Sequence, residues 1–164
     1  MIKFVKNWLM IALFCGAQAA MAQGTSIGLT GEAYDAGLPV EATADTLSVD
    51  QETSTAIFEG NAKVTQGSLR LDAESIRIEY KPEDGGVSRI EATGGVTFTN
   101  GAEIAEAENA VYTVGVSEIA MTGGVLLLQG QNKISGDRLV LDLDAGTATM
   151  QGNVKTVFTP ANGK

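Results

Sequence analysis

Histidine is absent from this 164-residue sequence, and cysteine occurs once, as Cys15. Without histidine the usual Ser–His and Cys–His nucleophile–base pairs cannot be assembled, and the soft ligands of zinc sites are missing too. Neither a Gly-x-Ser-x-Gly elbow nor a phosphate-cradling Gly-x-x-x-x-Gly-Lys loop occurs. Basic residues are few: 11 Lys and Arg stand against 20 Asp and Glu, a formal net charge of −9. Nucleic-acid binding rests on Lys and Arg neutralising phosphates, so this balance argues against it, and against adsorption to anionic membranes. Proline is confined to Pro39, Pro82 and Pro160. No catalytic residue, metal or cofactor is expected.

The first residues form a targeting segment. Lys3 and Lys6 give a positive start, Trp8 to Ala17 an apolar core, and Ala20-Met21-Ala22 an A-x-A cleavage site before Gln23. Residues 1–22 are therefore expected to be a cleaved signal peptide, with a retained anchor as the alternative. Phe14 precedes Cys15, where a lipid-attachment signal wants a small residue. Cleavage would remove Cys15 and leave a chain that needs no disulfide. Residues 23–38 show no clear period and are expected to be a flexible lead-in. Residues 39–159 are expected to fold as one domain, with 160–164 as a tail.

Within that domain the sequence repeats itself. An acid after a small residue recurs as Ala44-Asp45, Ala73-Glu74, Ala107-Glu108 and Gly136-Asp137. A glycine step recurs as Gly60-Asn61-Ala62, Gly94-Gly95-Val96, Gly123-Gly124-Val125 and Gly152-Asn153-Val154. The repeat is about 29 residues long, with one five-residue enlargement near Lys81-Pro82-Glu83-Asp84-Gly85-Gly86. Such a Pro/Asp/Gly run reads as a larger turn. Self-similarity at this period predicts stacked units.

Inside each unit the apolar period is two, the period of a strand, and no proline interrupts it. The phase slips by one residue at each acid, which predicts a bulge or corner where a strand passes from one sheet to another. Four units of about four strands each predict an all-β fold of about sixteen short antiparallel strands. Stacked in register, they place Leu47, Ile76, Ala110 and Leu139 in one interior ladder and Val49, Ile78, Tyr112 and Leu141 in a second. Phe58, Ala92, Met121 and Met150 form a third, and Val64, Phe98, Leu127 and Thr156 a fourth. Many partner positions are alanine. Since cores fill to a density of about 0.75, either the sheets approach very closely or an apolar ligand completes the interior.

The acids suggest no active site. Asp142 and Asp144 alternate with leucines and should face solvent. Asp45, Glu74, Glu108 and Asp137 recur at the same corner, where a short acid capping backbone N–H groups is the better account.

Phe58-Glu59-Gly60-Asn61-Ala62-Lys63-Val64-Thr65-Gln66-Gly67, followed by Leu69-x-Leu71-x-Ala73-Glu74, resembles the signature of the OstA-like (LptA) family. That family comprises the lipopolysaccharide-transport proteins LptA and LptC and the N-terminal domain of LptD. The later copies around Gly123 and Asp137 are similar to it, and the resemblance extends over about residues 40–158. It implies a twisted β-jellyroll of four stacked repeats, open at both ends, in the periplasm, with an apolar interior that shields lipid A acyl chains. It further implies head-to-tail joining through edge strands, to further copies and to LptC-like inner-membrane and LptD-like outer-membrane partners. Family lipid contacts match Val40, Ala42, Phe98, Tyr112 and Val114. The other ladder residues, Leu47, Val49, Phe58, Val64, Ile76, Ile78, Met121, Leu127, Leu139 and Leu141, are candidates on the same interior surface. Three readings stay open: a lipid-conduit subunit, a dry structural β-solenoid or LptC-like anchored subunit, and an enzyme using paired surface acids.

Overall fold

The computed structural model describes residues 25–28, 35, 37–101 and 103–158. The expected signal peptide and the C-terminal tail lie outside these residues. Alternation of apolar and polar side chains produces eleven antiparallel strands: β1 (Thr25–Gly28), β2 (Glu41–Thr43), β3 (Thr46–Asp50), β4 (Thr55–Gln66), β5 (Leu69–Tyr80) and β6 (Val87–Asn100). There follow β7 (Glu103–Thr113), a 3₁₀ turn (Val114–Val116), β8 (Glu118–Gln129), β9 (Asn132–Asp142), β10 (Thr147–Gln151) and β11 (Lys155–Val157). They make one unclosed sheet in the order β1-β10-β9-β8-β7-β6-β5-β4-β2, with β3 also on β4 and β11 also on β9.

Eleven strands, not sixteen, are present among the described residues, and the difference lies at the corners. Register shifts fall between Glu59 and Ala62, Asp72 and Ser75, Thr93 and Val96, Glu106 and Asn109, and Thr122 and Val125. At these bulges β4 to β8 bend without ending, so two expected short strands become one long one. β9 likewise pairs with β11 through Lys133–Ser135 and with β10 through Arg138–Asp142. The sheet thereby doubles over on itself. One layer holds β3, β10, β1 and the adjoining halves of β4 to β9; the other holds β2, β11 and the remaining halves.

Acid and glycine meet at every corner. The N–H groups of Asp45 and Asp137 donate to the carbonyls of Gly60 and Gly152 at 2.9 and 3.0 Å. Asn61 and Asn153 Nδ2 donate to the same two carboxylates at 2.8 Å. In the middle corners Glu74 packs on Gly94 and Glu108 on Gly123, so closely that an added Cβ would lie 2.7 Å from the glutamate Cβ. The enlarged turn falls where expected, between β5 and β6, closed by Lys81 N–H to Gly86 O at 2.7 Å.

Cross-strand register turns the expected ladders into longer ones. Leu47, Phe58, Ile76, Ala92, Ala110, Met121, Leu139 and Met150 are successive neighbours in one continuous rung. Two of the expected ladders thus interleave, strand by strand. The fully buried side chains Ile76, Met121, Leu139 and Met150 sit here, beside the crease between the layers, and Leu141 lies one rung away, beside Ile119 and Ala148. A further correction concerns the lead-in. Part of residues 23–38 is not free, because Thr25–Gly28 adds to the outer edge of β10. Its stability comes from backbone pairing with a distant strand, and no local periodicity reports that.

Candidate functional site: an apolar groove between the layers

Away from the crease the layers part and leave a cavity of about 230 Å³. Val64, Leu69, Leu71 and Phe98 line it from one layer, with Gln66 and Arg70 as its polar lining, and Ile90, Ala110, Tyr112 and Ile119 from the other. Val87, Val114 of the 3₁₀ turn and Leu143 also line it, and Leu38 and Val40 reach it from the chain before β2. An engineered apolar cavity of about 150 Å³ stays dry and takes up benzene. A larger cavity with this lining offers water few partners and suits hydrocarbon.

The hairpin tips of one layer carry a mostly polar row. Gln66, Leu69, Asn100, Glu103, Gln129 and Asn132 are successive cross-strand neighbours at the hairpin tips of one layer. Asn100 and Glu103 are buried, and such groups are normally hydrogen-bonded. Gln129 Nε2 donates to Glu103 Oε1 at 2.7 Å and to the Gly28 carbonyl at 2.8 Å. Gln66 Nε2 donates to the Leu38 carbonyl at 2.9 Å. Of this row Gln66 and Leu69 border the cavity itself.

The outer face carries the charge. Arg70 pairs with Asp72 at 2.5 Å and Arg89 with Glu91 at 2.7 Å. Arg77 and Glu79 stand directly across from Glu91 and Arg89. The hydrogen bond to Asp72, with the attraction of its charge, raises the Arg70 guanidinium pKa above its ordinary value. These exposed pairs contribute little stability. Asp142 Oδ1 accepts the Ala145 N–H at 2.8 Å, which gives this acid a turn to hold. Among the described residues no three Asp, Glu, Cys or His side chains are grouped to hold a metal.

The interior candidates divide into three sets. Val40, Val64, Phe98, Tyr112 and Val114 line the cavity. Ile76, Ile78, Met121, Leu127, Leu139 and Leu141 are buried in close-packed core, with Ala42 and Phe58 packed partly buried against it. Leu47 and Val49 are 55% and 64% exposed: they share the inner face with Phe58 and Ala56, but among the described residues β3 pairs with β4 alone. Val40, though on the cavity, is also 41% exposed. As lining residues, sequence reasoning missed Leu38, Gln66, Leu69, Arg70, Leu71, Val87, Ile90, Ile119 and Leu143. Ile90 and Ile119 are the direct neighbours of Tyr112 and follow from its face assignment. Leu38 is held by a side chain 28 residues away, and no local pattern marks it.

Residues 41–147 match the profile of the LptA/LptD N-terminal-domain family, described as LPS transport protein. The chain belongs to that family. Among solved structures, LptH of Pseudomonas aeruginosa, the LptA-homologous periplasmic component of its lipopolysaccharide transport device, aligns with a TM-score of 0.68. The match covers 75% of this chain and 96% of LptH at 16% identity, so the likeness is one of fold. An uncharacterised protein of Rhizobium meliloti (strain 1021) is 34% identical over 102 residues, covering 58% of this chain and 55% of that protein. The chain thus spans about half the length of the curated relative it matches. The OstA-like resemblance, the all-β antiparallel architecture and the unclosed sheet are all those of an LptA-like fold.

Proposed function

We propose that this chain is a periplasmic, non-enzymatic lipopolysaccharide carrier that shields lipid A acyl chains in the groove between its layers. The observation that carries this reading is the apolar cavity, with Gln66 and Arg70 as its polar lining, lying between the layers of a fold of the lipopolysaccharide-transport family. Withdrawing acyl methylenes from water is worth about 0.8 kcal/mol per CH₂, so a carrier needs an apolar slot and no catalytic group. Residues 1–22 would direct export and be removed, leaving 39–159 as the carrier domain. The edges of β2 and β3 at one end, and of β11 at the other, are unpaired among the described residues and suit strand addition. They would join copies head to tail and meet LptC-like and LptD-like partners, completing a bridge between the membranes.

Photo-crosslinking from position 98, with position 97 as control, tests the groove in cells making radiolabelled lipopolysaccharide. Phe98 pairs with the inward Leu71 and Ala105, whereas Thr97 pairs with Asp72 and Glu106. Adducts from 98 and none from 97 are the expected result. Folded, exported protein that gives no adduct at 98 would leave a dry solenoid as the better description.

A further inference from the structure

The outer edge of β10 is occupied by the chain's own β1, in the register that β3 takes on β4. Ile27 lies opposite Ala148 and Thr25 opposite Met150. On the other side of β10, Ala148 faces Leu141 and Met150 faces Leu139. At the N-terminal end, Ala56 lies between Val49 and Ile78, and Phe58 between Leu47 and Ile76. β10 thus repeats the first half of β4, with Ala148 at the place of Ala56 and Met150 at that of Phe58. If the pattern continued past β10, the next strand would bring Val49 to Ala148 and Leu47 to Met150. Those rungs hold Ile27 and Thr25. The sense of the strand also agrees: from β3 to β1 every step is antiparallel, and the even number of steps makes the two run the same way.

We infer that β1 is a stand-in for the β3 of a second copy of this chain, and that head-to-tail joining proceeds by its displacement. The inference rests on the joining reading above and adds a mechanism to it. The two layers differ at this end. β1 covers the edge of β10, whereas β11 pairs only with β9 among the described residues and leaves Val154, Val157 and Phe158 exposed. An arriving copy therefore has an uncovered strand on which its β2 can dock. Its five-residue β3 then exchanges for the four-residue β1. β3 also brings Leu47 and Val49, both exposed in the single copy, onto an apolar inner face where burial is favourable. Until then β1 protects an edge that would otherwise pair indiscriminately.

Self-association measured by sedimentation velocity over a concentration series tests this, using the purified chain with Cys15→Ser throughout. Ile27→Pro removes a ladder donor from β1 and should tighten association at least tenfold. Adding Val49→Pro should abolish that gain. A pair of substitutions, Ile27→Cys with Ala148→Cys, should remain monomeric when oxidised and regain association on reduction, with both strands otherwise intact. This redox arm also covers the case in which a proline variant fails to fold. If Val49→Pro weakens association while Ile27→Pro and the oxidised pair stay within twofold of the parent, joining stands and β1 is no stand-in. If Val49→Pro changes nothing in any background, edge joining itself fails, and the displacement proposal with it.

Discussion

At the scale of single residues, the crease separates two demands that usually travel together in a glycine: backbone sign and space. Gly94 and Gly95 both have positive φ, +85° and +78°, a region that costs a residue with a Cβ about 1–3 kcal/mol. Only Gly94 is also crowded, by Glu74; nothing lies within 4 Å of a Cβ at Gly95. Gly95→Ala is therefore expected to lose about the backbone cost alone and Gly94→Ala distinctly more, as read from urea midpoints at constant slope. A second contrast separates residues that the alternating pattern alone treats as alike. Met121→Ala, at a side chain with no exposure, is expected to cost about 2–5 kcal/mol. Leu47→Ala, on an open edge, is expected to stay within about 0.5 kcal/mol. The period-two pattern places both side chains on the inner face, but it cannot say that one has neighbours on both sides and the other on one.

At the scale of elements, the turn between β3 and β4 makes the edge strand pH-dependent. Asp50 Oδ1 accepts the N–H groups of Glu52 and Thr53 at 2.8 and 3.2 Å. Hydrogen bonds from the Thr53 side chain and then from these backbone groups lower its pKa below 3.8. A carboxyl lowered on folding contributes stability that is complete above its unfolded value and lost as pH falls through the folded one. Asp50→Ala should therefore be less stable than the parent at neutral pH, and the gap should close below pH 3.8; denaturant titrations along that limb check it. Elements also show where the sequence was legible. The slip at Asp45, Glu74, Glu108 and Asp137 announced the corners because a one-residue phase change is local. Whether a strand ends or bends at a corner depends on hydrogen bonds to neighbouring strands, so the strands came out long. β1 was invisible for the same reason: four residues hold their shape only against β10, more than a hundred positions away.

At the scale of the whole molecule, every strand rests on its immediate neighbours in the sheet, as in a repeat array where stability is a sum of local and nearest-neighbour terms. A disturbance at one end should fade before reaching the other. Val49→Asp is expected to raise amide exchange in β3 and β4 and to leave β8 and β9 unchanged, as hydrogen-exchange mass spectrometry would resolve. The groove followed less directly from the sequence. An abundance of alanine allowed either close-packed layers or a space between them, and both occur: tight packing along the crease and a cavity toward the tips. The aligned bends at Gly60, Gly94, Gly123 and Gly152 add a mechanical property. A sheet of card folded along one line is stiff along the fold and compliant about it. With its bends stacked in one row, the sheet is expected to yield about the crease more readily than along it, as the spread of distances between spin labels placed across the two layers would read. On that expectation it would be a stiff rail lengthwise and a soft clip crosswise.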